Sequence, residues 1–240
     1  MTMTDRPALF QGPMVRALLD GRKTMTRRLA WREIAVGAST EDATGEYPGS
    51  LAPNRLPLSV PTVWQKVEPG DRLWVRENWY GEFWNPEDID GLPREHWDTP
   101  RVERTADLCS KPWYQADEQA RDQRFAFVPE GQWAPSIHMP RWASRLTLVV
   151  TEAKLERLRE ISEADAIAEG IDRNPVQHGT WIAYPERSSG AGWADPRMSF
   201  GSLWRTLHTE PGNRWEDNPM VVAVTFTVHR VNIDKMEQAA

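Results

Sequence analysis

Gly21-Arg22-Lys23-Thr24-Met25-Thr26-Arg27-Arg28 is the stretch on which the reading of this chain turns. Four cations and two threonine hydroxyls stand within eight residues, in a chain whose net charge is -6. The segment before it reads as a helix. Gly12-Pro13 opens that helix, because proline at the first helical position gives up an N–H that would have been unpaired there anyway. Met14 with Leu18, and Val15 with Leu19, are i,i+4 pairs that make one apolar stripe. Gly21 is placed to stop the helix in a left-handed cap. A short strand is expected ahead of it, near Ala8–Phe10, and the segment Lys23 to Leu29 leaves the helix behind. If that segment were extended from Lys23 onward, Lys23 and Thr26 would lie on opposite faces. Cooperation between them therefore requires Lys23 to sit in the turn. Read this way, the stretch is one wall of a pocket for a nucleotide or nucleoside.

Working outward, Glu68-Pro69-Gly70-Asp71 is a turn leading into Arg72-Leu73-Trp74-Val75-Arg76-Glu77. Alternation sets Leu73, Val75 and Glu77 on one face, with Arg72, Trp74 and Arg76 on the other. A carboxylate in line with two core residues is either paired with an arginine or lines a cavity. Leu146 to Val150 is a buried strand, and the charged run Glu152–Arg159 continues from it as the outgoing end of a hairpin. Ser162 can cap a short helix, with Asp165 reaching back to it and Ile161 as the apolar staple. That helix ends at Glu169-Gly170, where a carboxylate faces the negative end of the helix dipole. Glu169 either points to solvent at little cost or is there for a functional reason. Phe200, Leu203, Trp204 and Leu207 mark an amphipathic helix, and Met220 to Val228 alternates as a strand. Four or five dispersed strands around three short helices, without a βαβ rhythm, indicate an α+β fold built as a small mixed β-barrel. One domain spans 1–234, with long inserted loops near 30–63, 80–135 and 172–198, and 235–240 is a flexible tail.

Composition removes several function classes. An acidic chain lacks the general basic coat that duplex DNA requires, so any nucleic-acid contact must be local. The single cysteine, Cys109, rules out an internal disulfide and a cysteine-rich zinc site. His96, His138, His178, His208 and His229 show no metal-ligand spacing, so no metal and no cofactor is expected. His138 is read as a structural residue. The chain has no glycine-rich phosphate loop and no G-x-S-x-G elbow. Without an apolar leader or a membrane-length apolar run, the expected compartment is the cytoplasm. Thirteen tryptophans form the compositional outlier. Trp84, Trp97, Trp113, Trp133, Trp181 and Trp193 fall in Pro/Gly-rich segments, where they either pack in satellite clusters or stack on bases.

Taken together, the helix followed by G-R-K-T-M-T-R-R, the P-G-D-R-L-W-V strand, the I-S-E-A-D-A-I-A-E-G-I helix and the closing V-V-A-V-T-F strand resemble an ASCH domain of the PUA-like superfamily. The segment S-I-H-M-P-R-W-A-S-R is similar to ASCH-like proteins of bacteriophages and prophages. The matching segments cover roughly 90 residues, counted along the chain in segment order. The resemblance implies a PUA-like barrel that binds RNA, single-stranded nucleic acid or modified nucleotides. It further implies, after some small ASCH proteins, a metal-free amidohydrolase that removes the acyl group from N4-acetylcytidine. That activity uses a lysine and threonine in a K-T-x-T segment and a glutamate closing a short helix, which fall here on Lys23, Thr26 and Glu169. In such a scheme the Thr26 hydroxyl attacks the amide, a lysine of lowered pKa serves as base, and Glu169 passes a proton to the leaving nitrogen. Arg22, Arg27, Arg28, Glu77 and Trp79 complete the set as substrate-binding candidates. Arg27 and Arg28 either orient sugar or phosphate or form surface ion pairs.

Overall fold

A computed structural model describes residues 3–34, 58–83, 109–117, 133–184, 190 and 192–238. Much of the first two expected insertions, with Trp84 and Trp97, lies outside the described residues, and of the third only 185–189 and 191 do.

Strand β1 (Asp5–Leu9) leads into α1 (Gly12–Leu19), whose second residue is proline and whose buried stripe is Met14, Val15, Ala17 and Leu18. Gly21 follows with φ +74, the left-handed conformation that ends the helix. Strand β2 is Met25–Leu29, so Lys23 does sit in the turn before it. Next come β3 (Trp31–Ile34), β4 (Leu58–Pro61), β5 (Arg72–Arg76), β6 (Trp79–Phe83) and β7 (Cys109–Tyr114). The second half holds β8 (Thr147–Arg157), α2 (Glu163–Ala168), β9 (Trp181–Ile182), β10 (Gly192–Trp193), α3 (Pro196–Leu207) and β11 (Met220–His229). The chain remains structured past the expected end, with Ile233 buried in a 3-10 turn over Ile233–Gln238.

Five strands form one sheet in the order β1-β5-β8-β11-β2, and the remaining six pair as two-stranded ribbons. The fold is mixed α+β. The expected closed barrel is not formed among the described residues, where β1 and β2 are the two edges of the large sheet. Its centre is the long antiparallel pair β8·β11, with β1 parallel to β5 at one side and β2 antiparallel to β11 at the other. The main core lies on the sheet face carrying Leu73, Leu148, Val150, Val222, Val224 and Phe226, covered by α1 and Leu203. A second cluster joins Phe200, Trp204, Trp215, Trp181, Ile161 and Val221. Five of the tryptophans, Trp74, Trp79, Trp181, Trp204 and Trp215, are therefore core residues, whereas Trp31 and Trp193 are exposed.

The sequence reading ends the β8 strand too early. The charged run after Val150 is not a separate outgoing segment: β8 continues to Arg157 through a register shift between Thr225 and Phe226. The partner of Thr225 is Glu152 and that of Phe226 is Val150, which leaves Thr151 as the extra, unpaired residue of a bulge. A bulge swaps the face of every residue beyond it. Glu156 consequently pairs with Val221, two positions from Ala223, which is the partner of Arg27. Glu156 thus comes onto the face of the sheet that Arg27 occupies.

Candidate functional site

The turn between α1 and β2 is tied down on three sides. The N–H groups of Arg22 and Lys23 both donate to the Ala17 carbonyl, at 2.9 and 3.0 Å. Thr24 N–H donates to Ala168 O of α2, and its own carbonyl accepts from Phe226 N–H of β11. The end of α2 is pressed onto this turn. Gly170 has φ +83, and a Cβ there would lie 2.8 Å from Lys23 Cβ and 2.9 Å from Ala17 Cβ. Both the backbone conformation and the close approach require glycine.

This packing brings Glu169 to Lys23 across 146 residues of sequence. Lys23 Nζ donates to Glu169 Oε2 at 2.8 Å, to Glu169 O at 2.7 Å and to Met25 O at 2.8 Å. All three ammonium hydrogens are accounted for. Lys23 is 2% exposed and Glu169 3%, which excludes a solvent-facing Glu169. Burial pushes the Lys23 ammonium below its ordinary range. Glu169 pulls it back up, the Arg28 and Arg27 charges push it down again, and the net direction is downward.

Arg27 is held from behind the same site. Its Nε and Nη2 donate to Glu156 Oε1 at 3.0 and 2.7 Å, its Nη2 to Asp165 Oδ2 at 2.8 Å, and its Nη1 to Glu169 Oε1 at 3.3 Å. Asp165 therefore does not reach back to Ser162. The capping bond runs the other way, from Asp165 N–H to Ser162 Oγ, and the carboxylate turns to Arg27. Lys154 Nζ closes the cluster at its exposed rim, 2.8 Å from Glu156.

Lys23, Thr26, Arg27, Arg28 and Glu169 all border one cavity of about 610 Å³, inside the ~300–1,000 Å³ range of small-molecule sites. Its opposite wall is aromatic: Phe10 from the end of β1, Phe200 and Trp204 from α3, and His208 just beyond. The apolar stripe expected on α3 is thus partly core and partly cavity wall. Thr26 is buried, and its hydroxyl makes no hydrogen bond among the described residues. Alternation along β2 sends Thr26 and Arg28 to one face of the strand and Arg27 to the other.

The other three candidates lie elsewhere. Arg22 points outward, pairing with Asp20 at 3.2 Å and Asp172 at 3.1 Å. Glu77 is the arginine-paired alternative: Arg145 Nε and Nη2 grip its two oxygens at 2.9 and 3.0 Å. Trp79 is buried against Met139, Ala143 and Trp142, in a satellite cluster away from the cavity. None of the three lines the cavity, although Asn78, between Glu77 and Trp79, does; residue type alone misplaced them. His208, Phe10, Glu156 and Asp165 went unassigned. Only His208 carried a signal, four residues after Trp204, on which its ring stacks at 4.1 Å.

Among the described residues no group of His, Cys, Asp and Glu is arranged to hold a metal ion, and no helix is long and apolar enough to cross a membrane. No protein-family model, no curated protein and no solved structure matches the chain.

Proposed function

We propose that the protein is an amidohydrolase that removes the acyl group from N4-acylcytidine-type nucleosides or bases, with Lys23, Thr26 and Glu169 as the working group. The observation that carries this reading is the meeting of these three residues at the wall of one aromatic-lined cavity. A turn, an edge strand and a helix end supply them. The finer fold assignment, an ASCH domain of the PUA-like superfamily, belongs to the same proposal and rests on the order of its motifs.

The chemistry follows from the Lys23–Glu169 contact. Transfer of one proton from Nζ to Oε2 gives a neutral amine beside a carboxylic acid, and burial of the Lys23 ammonium favours its loss of that proton. The amine takes the proton of the Thr26 hydroxyl as its oxygen bonds to the acyl carbon. The carboxylic acid gives its proton to the cytosine nitrogen as the C–N bond breaks. Lys23 is then an ammonium and Glu169 a carboxylate again, and water hydrolyses the Thr26 ester. Arg27, fully engaged by three carboxylates, holds Glu169 in place rather than touching substrate.

The test is release of cytidine from N4-acetylcytidine by the intact protein and by Thr26→Ala. Because the hydroxyl has no partner among the described residues, Thr26→Ala should fold with stability within about 1 kcal/mol of the parent and lose turnover. Absence of turnover by the parent across several acyl groups sinks the proposal, and turnover surviving in Thr26→Ala removes the nucleophile. A non-catalytic binder of RNA or modified nucleic acid is the second reading. A neighbouring cavity of about 420 Å³, lined by Arg32, Trp31 and Trp64, favours it. Its signature is salt-dependent binding of modified strands without turnover.

A further inference from the structure

Arg27 and Arg28 are adjacent in sequence and opposite in circumstance. Arg27 is met by Glu156, Asp165 and Glu169. Arg28 has no carboxylate within ion-pair distance among the described residues. Its Nη2 donates to the Leu9 carbonyl at 2.6 Å, while its Nε is buried with no hydrogen-bond partner among the described residues. Glu169, whose charge reaches Arg28, is already held on both oxygens by Lys23 and Arg27. A guanidinium with spare donors and no counter-charge in a half-buried position is costly, unless an anion from outside completes it.

Its position is nevertheless fixed. The Arg28 guanidinium lies 5.0 Å from the Phe10 ring centroid and 5.2 Å from that of Trp64, clamped between two aromatic faces. It stands at the junction of two spaces, lining both the main cavity and the adjacent one of about 420 Å³. It also shares a strand face with Thr26, two residues away. A ligand engaging both must carry its anionic group well separated from the bond that Thr26 attacks. A nucleotide has that layout, with its phosphate at the far side of the sugar from the base amine.

We propose that Arg28 is a phosphate subsite, and that the ligand of the cavity is a phosphorylated cytidine rather than a free nucleoside. This rests on the cytidine reading of the cavity above. The phosphate can be the monoester of a free nucleotide or the diester of a strand. Both offer the paired oxygens that suit a guanidinium, and the experiment separates them.

Binding of cytidine, cytidine 5′-monophosphate, cytidine 3′-monophosphate and the dinucleotide CpC is measured calorimetrically for the parent, Arg28→Gln and Arg28→Lys. At least one phosphate-bearing probe should bind about ten- to a hundredfold more tightly than cytidine, the gain of one or two charge-assisted contacts. That ratio should fall towards one in Arg28→Gln, be partly kept in Arg28→Lys, and shrink in the parent as salt is raised. A gain with a monophosphate identifies a free nucleotide, and a gain with CpC alone identifies a strand. Equal affinity of the parent for cytidine and all three phosphates overturns the proposal. A preference that survives Arg28→Gln, or no binding by any probe, overturns it equally. The probes carry no acyl group, so the result is independent of catalysis: a phosphate preference without turnover of N4-acetylcytidine or of its phosphates would leave this subsite standing and remove the hydrolase.

Discussion

Breaking the Lys23–Glu169 pair from either side should cost more than removing it whole. Lys23→Met leaves the Glu169 carboxylate buried with Arg27, at 3.3 Å, as its ion-pair partner. Glu169→Gln leaves the Lys23 ammonium buried with carbonyl acceptors alone, Met25 O and the main-chain oxygen of residue 169. Removing one partner of a buried pair costs about 3–5 kcal/mol, against near neutrality when both are replaced by groups of similar shape. Arg27 still compensates Glu169 in the first variant, so about 3 kcal/mol is expected there, and towards 4–5 kcal/mol in the second. The double variant should fall well short of the sum, which makes the coupling at least about 2 kcal/mol.

Urea unfolding of the four proteins at neutral pH measures this. A pH series adds a sign. The folded Lys23 lies below its ordinary range of 10.5 because it is buried, and loss of the Glu169 charge lowers it further. Between the folded and unfolded values the unfolded chain binds more protons, so stability rises with pH across that window. Glu169→Gln should therefore be most destabilised at neutral pH and recover as the pH climbs towards 10.5, the unfolded lysine's value. Additive single variants, with coupling under about 0.5 kcal/mol, or a Glu169→Gln deficit that grows with pH, would refute the buried pair and the proton transfer built on it.

Gly170→Ala should lose about 2–5 kcal/mol, combining a left-handed backbone with overpacking against Lys23 and Ala17, read as a fall in thermal midpoint. His208 provides a second pH test: burial, then the Arg28 charge, holds its imidazole below 6.5. The unfolded chain therefore protonates first on acidification, and stability falls as pH drops below about 6.5. The difference in stability between pH 7.5 and pH 5.5 should be smaller in His208→Gln than in the parent, and an unchanged difference would count against a half-buried, neutral ring.

Much of the site was legible because local rules fix it. Proline at the second helical position and Gly21 after the end bound α1, which forces Lys23 into a turn and starts β2 late enough to separate it from the strand. The carboxylate of Glu169 stood out because a helix C-terminus disfavours it, and its compensation by Lys23 and Arg27 is the physical answer. What stayed hidden depended on long-range register. The bulge at Thr151 has no mark in the sequence, yet it alone brings Glu156 onto the face of Arg27. Glu77 and Trp79 belong to the same kind of error. Both sit near a strand with a suitable pattern, and only tertiary packing reveals that Glu77 pairs with Arg145 and that Trp79 packs on Met139.

The contrast between the two adjacent arginines shows how an edge strand divides labour. Among the described residues β2 pairs only with β11, and its two faces meet different surroundings. The Arg27 face meets the carboxylates of β8 and α2 and the Arg28 face meets aromatic rings, while both arginines border the cavity. Arg27 on the first face is neutralised within the protein, and its charge serves to hold Glu169 against Lys23. Arg28 on the second is clamped by Phe10 and Trp64 but not neutralised, so its charge is directed at whatever enters the cavity. A purely structural role for the cluster would need neither the cavity beside it nor an uncompensated guanidinium at its mouth. On the proposed reading the uncompensated charge belongs to the ligand side of the site, the cavity that Lys23, Thr26 and Glu169 also border.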